Sequence, residues 1–222
     1  MRRKILRRCI RSKILRRYGQ LTTEEGYIKF QAEWEKSPPL PADRLQELDH
    51  WRDVMYTAGL IGAYPDGIGF GNISRRWDGE GRFLITGSAT GNFEQLEPSH
   101  YCLVTEVIPQ ENRLPCQGPI LASSESMSHA VIYRERPEVN GVIHIHHLAL
   151  WKYLLHKVPT TDASAPYGSP EMAASIVDLL ETTDLPRRRI FVMEGHREGI
   201  FAFGETLESA ASVIFAALEN LS

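Results

Sequence analysis

Cysteine is scarce in this 222-residue chain. Cys9, Cys102 and Cys116 are odd in number, widely spaced and without a CxxC pair. That excludes a disulfide scaffold and paired-thiol redox or metal motifs, and it suits a reducing cytoplasm. No run of 18 apolar residues occurs, so no transmembrane helix is expected. No GxxxxGK[ST] sequence, internal repeat or low-complexity tract is present, which removes a P-loop nucleotide site and a solenoid. Acidic side chains are missing from residues 1–17, which hold nine Arg or Lys; the remainder carries 16 basic against 28 acidic side chains. A body with net charge −12 argues against a broad nucleic-acid footprint.

What is present divides at a stiff break. Ser37–Pro41 (Ser-Pro-Pro-Leu-Pro) sets the expected boundary between a basic arm and linker, residues 1–40, and a main domain, residues 41–222. The length suits one domain with a sizeable core. In the arm, Ile5, Leu6, Cys9, Ile10, Ile14 and Leu15 recur at near-helical spacing among arginines. Such a stretch is a membrane-surface helix, an arm docked on the acidic body, or a solvated terminus. Charges interrupt every apolar core a secretory signal would need. Gln20–Lys36, polar with Phe30 and Trp34 four apart, reads as a short helix.

Beyond the break, Asp43 is the expected cap of a helix carrying Leu45, Leu48, Trp51, Val54 and Met55, ending near Gly59. Arg82–Thr86, Tyr101–Val107 and Ile120–Ala122 read as strands. Ser123-Ser124-Glu125 opens a helix in a capping pattern, with His129 four residues on along the same face as Glu125. Leu148–Leu155 continues as an apolar helix, and Ser169-Pro170 starts another. Ile190–Met193 and Ile200–Gly204 form a hairpin-like pair across Glu194–Gly199, and Thr206 caps a last helix over Leu207–Leu218.

Chemistry concentrates at Asn140–Leu148, Asn-Gly-Val-Ile-His-Ile-His-His-Leu. Val142, Ile143 and Ile145 make it a short buried strand. Alternation then places His144 and His146 on one side and His147 on the other. Two imidazoles at i and i+2 on a strand can hold one metal ion, or they can be core histidines bonded to backbone. A third ligand elsewhere decides between these. Two small-residue loops, Gly67–Asn72 and Gly87–Gly91, follow turns or strands. They are turns between strands, or an anion site built from backbone N–H groups, with Asn72 and Ser74 adding polar groups at the first bend.

Taken in order, Gly71-Asn72-Ile73-Ser74, Thr86-Gly87, Ser123-Ser124-Glu125, His129, Arg136-Pro-Glu-Val-Asn-Gly-Val-Ile-His-Ile-His146 and His196…Gly204-Glu-Thr-Leu-Glu resemble the class II aldolase/adducin N-terminal family. The resemblance runs from Leu45 to Leu218. It implies an α/β fold, a three-layer α/β/α sandwich around a mostly antiparallel sheet, assembled as a homotetramer. It implies that His144, His146 and His196 bind zinc or another divalent metal, with Glu125 the catalytic carboxylate. It further implies that Gly71, Asn72, Thr86, Gly87, Ser123 and Ser124 line a substrate-phosphate pocket, with Ser74 counted beside them. The implied function is a metal-dependent lyase of aldolase type, cleaving or enolising a small phosphorylated sugar or ketose through a metal-stabilised enediolate. A dehydratase or 4-epimerase of the same family, or a non-catalytic adducin-like assembly domain, is the alternative.

Two departures from the family pattern bear on the site. The chain between His146 and His196 is short, which trims a loop that supplies a proton donor in relatives; Tyr167 is the candidate acid in its place, or a packing tyrosine. Where the family has His-Gly, this chain has His196-Arg197-Glu198-Gly199, so Glu198 is a candidate to replace or assist His196 as a ligand.

Overall fold

The computed structural model describes residues 30–221; the expected basic helix over residues 1–17 lies outside them. An eight-stranded sheet runs through the middle of the fold. Its strands are β1 (Gln31–Lys36), β4 (Asn72–Arg76), β5 (Phe83–Thr86), β6 (Tyr101–Val104), β7 (Arg113–Gly118), β8 (Gly141–His146), β9 (Ile190–Val192) and β10 (Gly199–Gly204). The order across it is β1-β7-β6-β5-β4-β8-β10-β9. Every pairing is antiparallel except β1 with β7. A separate small hairpin joins β2 (Gly62–Ala63) to β3 (Gly69–Phe70).

Helices cover both faces. On one side α1 (Gln46–Thr57), α3 (Leu148–Leu154) and α6 (Leu207–Glu219) pack over Ile73, Leu84, Ile143, Ile145, Ile200 and Ala202. On the other, α2 (Ser126–Glu135), α4 (Pro170–Thr182) and the short α5 (Leu185–Arg188) cover Phe83, Ile85, Val142, Phe201 and Phe203. This is the expected three-layer α/β/α sandwich. The alternation within β8 fixes the site's side. Ile143 and Ile145 face the first layer, so Val142, His144 and His146 face the second. All six residues of β8 are buried because β4 and β10 flank it. Among the described residues no helix is long and apolar enough to cross a membrane.

Several local expectations needed correction. The end of the expected Gln20–Lys36 helix is instead β1, an edge strand whose backbone pairs in register with Arg113–Gly118. The strand therefore precedes the Ser37–Pro41 break, and the sheet draws on chain from both sides of residue 40. Asp43 caps nothing: it lies in a 3-10 turn over Ala42–Arg44, and α1 starts after Leu45 without a side-chain cap. Ile120–Ala122 contributes a single bridge, Ala122 to Gly87, rather than a strand. Where side-chain caps do form they are ordinary ones: the Ser169 hydroxyl accepts from Met172 N, and Thr206 makes a reciprocal box with Ser209, each worth about 1 kcal/mol.

Candidate active site

The sheet brings three histidines together. His144 and His146 project from β8, and His196 from the turn between β9 and β10; all three are buried. One ring nitrogen from each lies within 4.8 Å of the others. The turn is held tightly, with Gly199 N–H donating to His196 O at 3.0 Å and the Trp151 indole N–H donating to Met193 O at 2.8 Å. Gly195 is needed there because a Cβ would overlap Ala165 O. The third histidine of the run, His147, does different work: its Nδ1 accepts from Leu150 N at 3.0 Å and caps α3.

The protons on the strand pair can be placed. His144 Nδ1 lies 3.2 Å from Ile200 O, which only accepts, so the ring's hydrogen sits on Nδ1. His146 Nδ1 lies 2.8 Å from the Tyr64 hydroxyl, which in turn donates to Glu198 Oε2 at 3.1 Å; His146 therefore also carries its hydrogen on Nδ1. Burial pushes the His144 pKa down to about 4 and that of His146 well below the ordinary histidine value, so both rings are neutral at pH 7. Their Nε2 atoms are 3.1 Å apart. Two lone pairs face each other with no hydrogen between them, which is unfavourable unless a cation stands there. Two nitrogens on one tetrahedral zinc are separated by about 3.3 Å. The donor set fits a divalent cation.

Glu125 completes the surroundings. It is the backbone N-cap of α2 but makes no capping hydrogen bond with its side chain, contrary to the capping pattern in the sequence. Its Oε2 instead accepts from the Ser128 hydroxyl at 3.0 Å, and its Oε1 lies 3.2 Å from His196 Nδ1. Among the described residues Oε1 has no hydrogen bond of proper geometry. Burial pushes this carboxyl up, but His196, with His144 and Ser128, outweighs it and holds the group below its ordinary range. Tyr167 is buried with its ring 4.8 Å from that of His196. Phe201 stacks on His144 at 4.3 Å, and Phe70 on His146 at 5.5 Å.

A cleft of about 270 Å³ opens beside Glu125. The two small-residue loops line it, and so do Gly71, Asn72, Gly87, Ser123 and Ser124. Gly71 sits at φ 72°, and a Cβ there would meet His144 O at 3.0 Å. Ser88 and Thr90, which the glycine loop brings in but side-chain chemistry did not single out, line it too.

Two expected pocket residues are elsewhere. Thr86 turns inward and its hydroxyl accepts from Ile73 N at 3.3 Å. Ser74, two residues along β4 from Asn72, is fully buried, with its hydroxyl 2.6 Å from His129 Nδ1 and 2.8 Å from Tyr133 Oη. His129 Nε2 in turn lies 2.6 Å from Asn72 Oδ1. Burial pushes the His129 pKa down to about 3, so the ring is neutral. One arrangement gives every hydrogen an acceptor: Tyr133 donates to Ser74, Ser74 to His129 Nδ1, and His129 Nε2–H to Asn72 Oδ1. Asn72 is thereby left to offer its amide N–H groups to the cleft. Glu198 stands near the trio without replacing His196, and meets His146 through Tyr64. Neither Tyr64 nor His129 had a role legible in sequence spacing.

The family described as Class II Aldolase and Adducin N-terminal domain matches residues 65–221. Among solved structures, an L-fuculose 1-phosphate aldolase is 20% identical with a TM-score of 0.62, over 82% of this chain and 84% of that one. The L-fuculose-1-phosphate aldolase from Thermus thermophilus is 25% identical with a TM-score of 0.58, over 82% and 92%. Sugar-phosphate aldolase from Thermotoga maritima is 21% identical with a TM-score of 0.60, over 81% and 94%. No curated protein matches significantly.

Proposed function

Because the chain belongs to the class II aldolase and adducin N-terminal domain family, we propose that it is a divalent-metal-dependent lyase acting on a small phosphorylated sugar or ketose. The observation that carries this reading is the buried trio His144, His146 and His196, with ring nitrogens within 4.8 Å of one another and the Glu125 carboxylate against it. Three imidazoles leave a coordination position open, as catalytic rather than structural zinc sites do. The three rings would hold the cation, with Glu125 as a fourth donor in the resting site. Bound there, zinc or another divalent ion supplies Lewis acidity toward a substrate carbonyl.

The chain's own groups do the rest. The cleft's glycine loops, the Asn72 amide and the Ser123 and Ser124 hydroxyls receive the phosphate, which anchors the far end of the substrate and orients the carbonyl toward the trio. Glu125, held ionised and shielded from water, removes the proton from the carbon beside the ketose carbonyl, and the electron pair moves onto the carbonyl oxygen. As a C–C bond forms to an aldehyde, Tyr167 gives a proton to the aldehyde oxygen. In cleavage Tyr167 first passes its own hydrogen through solvent to Glu125. It then takes the proton of the hydroxyl beside the breaking C–C bond, the bond breaks, and Glu125 gives the hydrogen it received to carbon. A homotetramer, the family's implied assembly, is part of this reading. A purely structural assembly role gives no account of two neutral imidazoles aiming lone pairs at one point.

The test is proton exchange. The protein loaded with Zn2+ is incubated with dihydroxyacetone phosphate in D2O and followed by NMR, alongside a screen of phosphorylated ketoses for aldehyde release. Exchange by the wild type and its loss in Glu125→Gln at unchanged metal content is the expected result. Equal exchange in both proteins contradicts the assigned base. Aldehyde release separates an aldolase from a dehydratase or epimerase.

A further inference from the structure

The strand histidine His146 is steered by two residues from distant parts of the chain. Tyr64 follows β2, and its ring packs on Phe70 at 4.7 Å, so the small hairpin holds the phenol beside His146. Glu198 comes from the turn after His196. It stands at φ 76°, in the left-handed region that favours glycine, and a non-glycine residue kept there points to a task for its side chain. Its backbone carbonyl accepts from His147 N–H at 3.1 Å, which ties the turn to the end of β8. Its Oε1 lies 3.9 Å from Arg197 Nε, and its Oε2 takes the Tyr64 hydroxyl at 3.1 Å.

A carboxylate has no hydrogen to give, so the direction of the chain is determined: Tyr64 donates to Glu198 and its oxygen accepts from His146 Nδ1–H at 2.8 Å. The Nε2 lone pair of His146 is then directed at His144 and the centre of the trio. We propose that Tyr64 and Glu198 are positioning residues that lock His146 in its metal-binding tautomer, and so set the affinity of the site for its cation. This rests on the metal reading of the trio given above. Removing the Glu198 acceptor frees Tyr64 to donate to Nδ1 instead, which moves the ring hydrogen onto Nε2 and blocks the cation. Removing the Tyr64 hydroxyl leaves Nδ1–H without its partner.

Zn2+ affinity of the full chain, read by competition with a chromophoric chelator, tests this. Circular dichroism serves as the check that each variant folds. The wild type is expected to bind about one Zn2+ per chain, with Tyr64→Phe and Glu198→Ala each weaker by about 10- to 100-fold. Glu198→Gln, whose amide oxygen still accepts from Tyr64, stays within about threefold of wild type. The double variant Tyr64→Phe/Glu198→Ala is no weaker than Tyr64→Phe alone, because Glu198 acts through the phenol. Losses that multiply in the double variant make Glu198 a direct ligand and overturn the relay. Wild-type affinity in Tyr64→Phe overturns the relay alone, whereas a wild type that takes no Zn2+ overturns both the relay and the metal reading.

Discussion

His144 Nε2 and His146 Nε2 face each other at 3.1 Å while each ring's Nδ1 is committed outward, one to Ile200 O and the other to Tyr64. A strand repeat of two residues brings the rings to one side; the backbone of β10 and the β2–β3 hairpin then decide which nitrogen looks inward. Position and tautomer come from different parts of the chain.

Asn72 is expected to read the substrate's phosphate. With Oδ1 held by His129, its N–H groups are the part offered to the cleft. Asn72→Asp puts a second negative charge where the phosphate binds. KM for a phosphorylated ketose should rise at least about tenfold, with less change for the unphosphorylated analogue. Equal effects on the two substrates would place the phosphate elsewhere.

His129 should make the fold acid-sensitive. Its folded pKa is about 3 because burial disfavours the charged ring, whereas an unfolded histidine titrates near about 6.5. Between those values the unfolded chain binds the extra proton, so stability is full above pH ~6.5 and is lost as pH falls toward ~3. In chelator-treated protein, His129→Gln should flatten the stability-versus-pH slope in this window by up to about 1.4 kcal/mol per pH unit. Urea unfolding at several pH values checks this, and parallel slopes for the two proteins count against it.

Arg52 should hold the rim of the cleft. Its buried guanidinium donates to Glu94 O at 2.6 Å, to Phe93 O and to Thr90 O at 3.4 Å, and packs over Tyr56. Arg52→Met removes these bonds and leaves three carbonyls without their donor, at a cost of about 3 kcal/mol. Faster amide exchange over residues 88–94 should accompany the loss. A stability change below about 0.5 kcal/mol would mean the loop is held by other contacts.

How much of this could be read beforehand depended on periodicity. The alternation in Gly141–His146 places His144 and His146 together, whereas the three layers are legible only through the family resemblance. β1 escaped because an edge strand buries so little: only Ala32 is half-buried, so the segment carries no period and takes its pairing from the backbone of β7. Ser74 is read as a pocket residue from its place at the glycine bend and Thr86 from the family resemblance, but the Ser74 hydroxyl is taken up by His129 and Tyr133 of α2 and that of Thr86 by Ile73 N–H. Tyr64 and Glu198 lie 134 residues apart. Their meeting follows from a hairpin whose strands are two residues each and from a left-handed turn, neither of which has a side-chain pattern to announce it.

The central claim is that the three imidazoles hold one cation, and metal content tests it most directly. After equilibrium dialysis against Zn2+ and removal of free ion, the wild type should retain about one metal per chain, and His144→Ala or His146→Ala close to none. A wild type holding well under about 0.1 per chain, or either variant retaining metal like the wild type, contradicts the account.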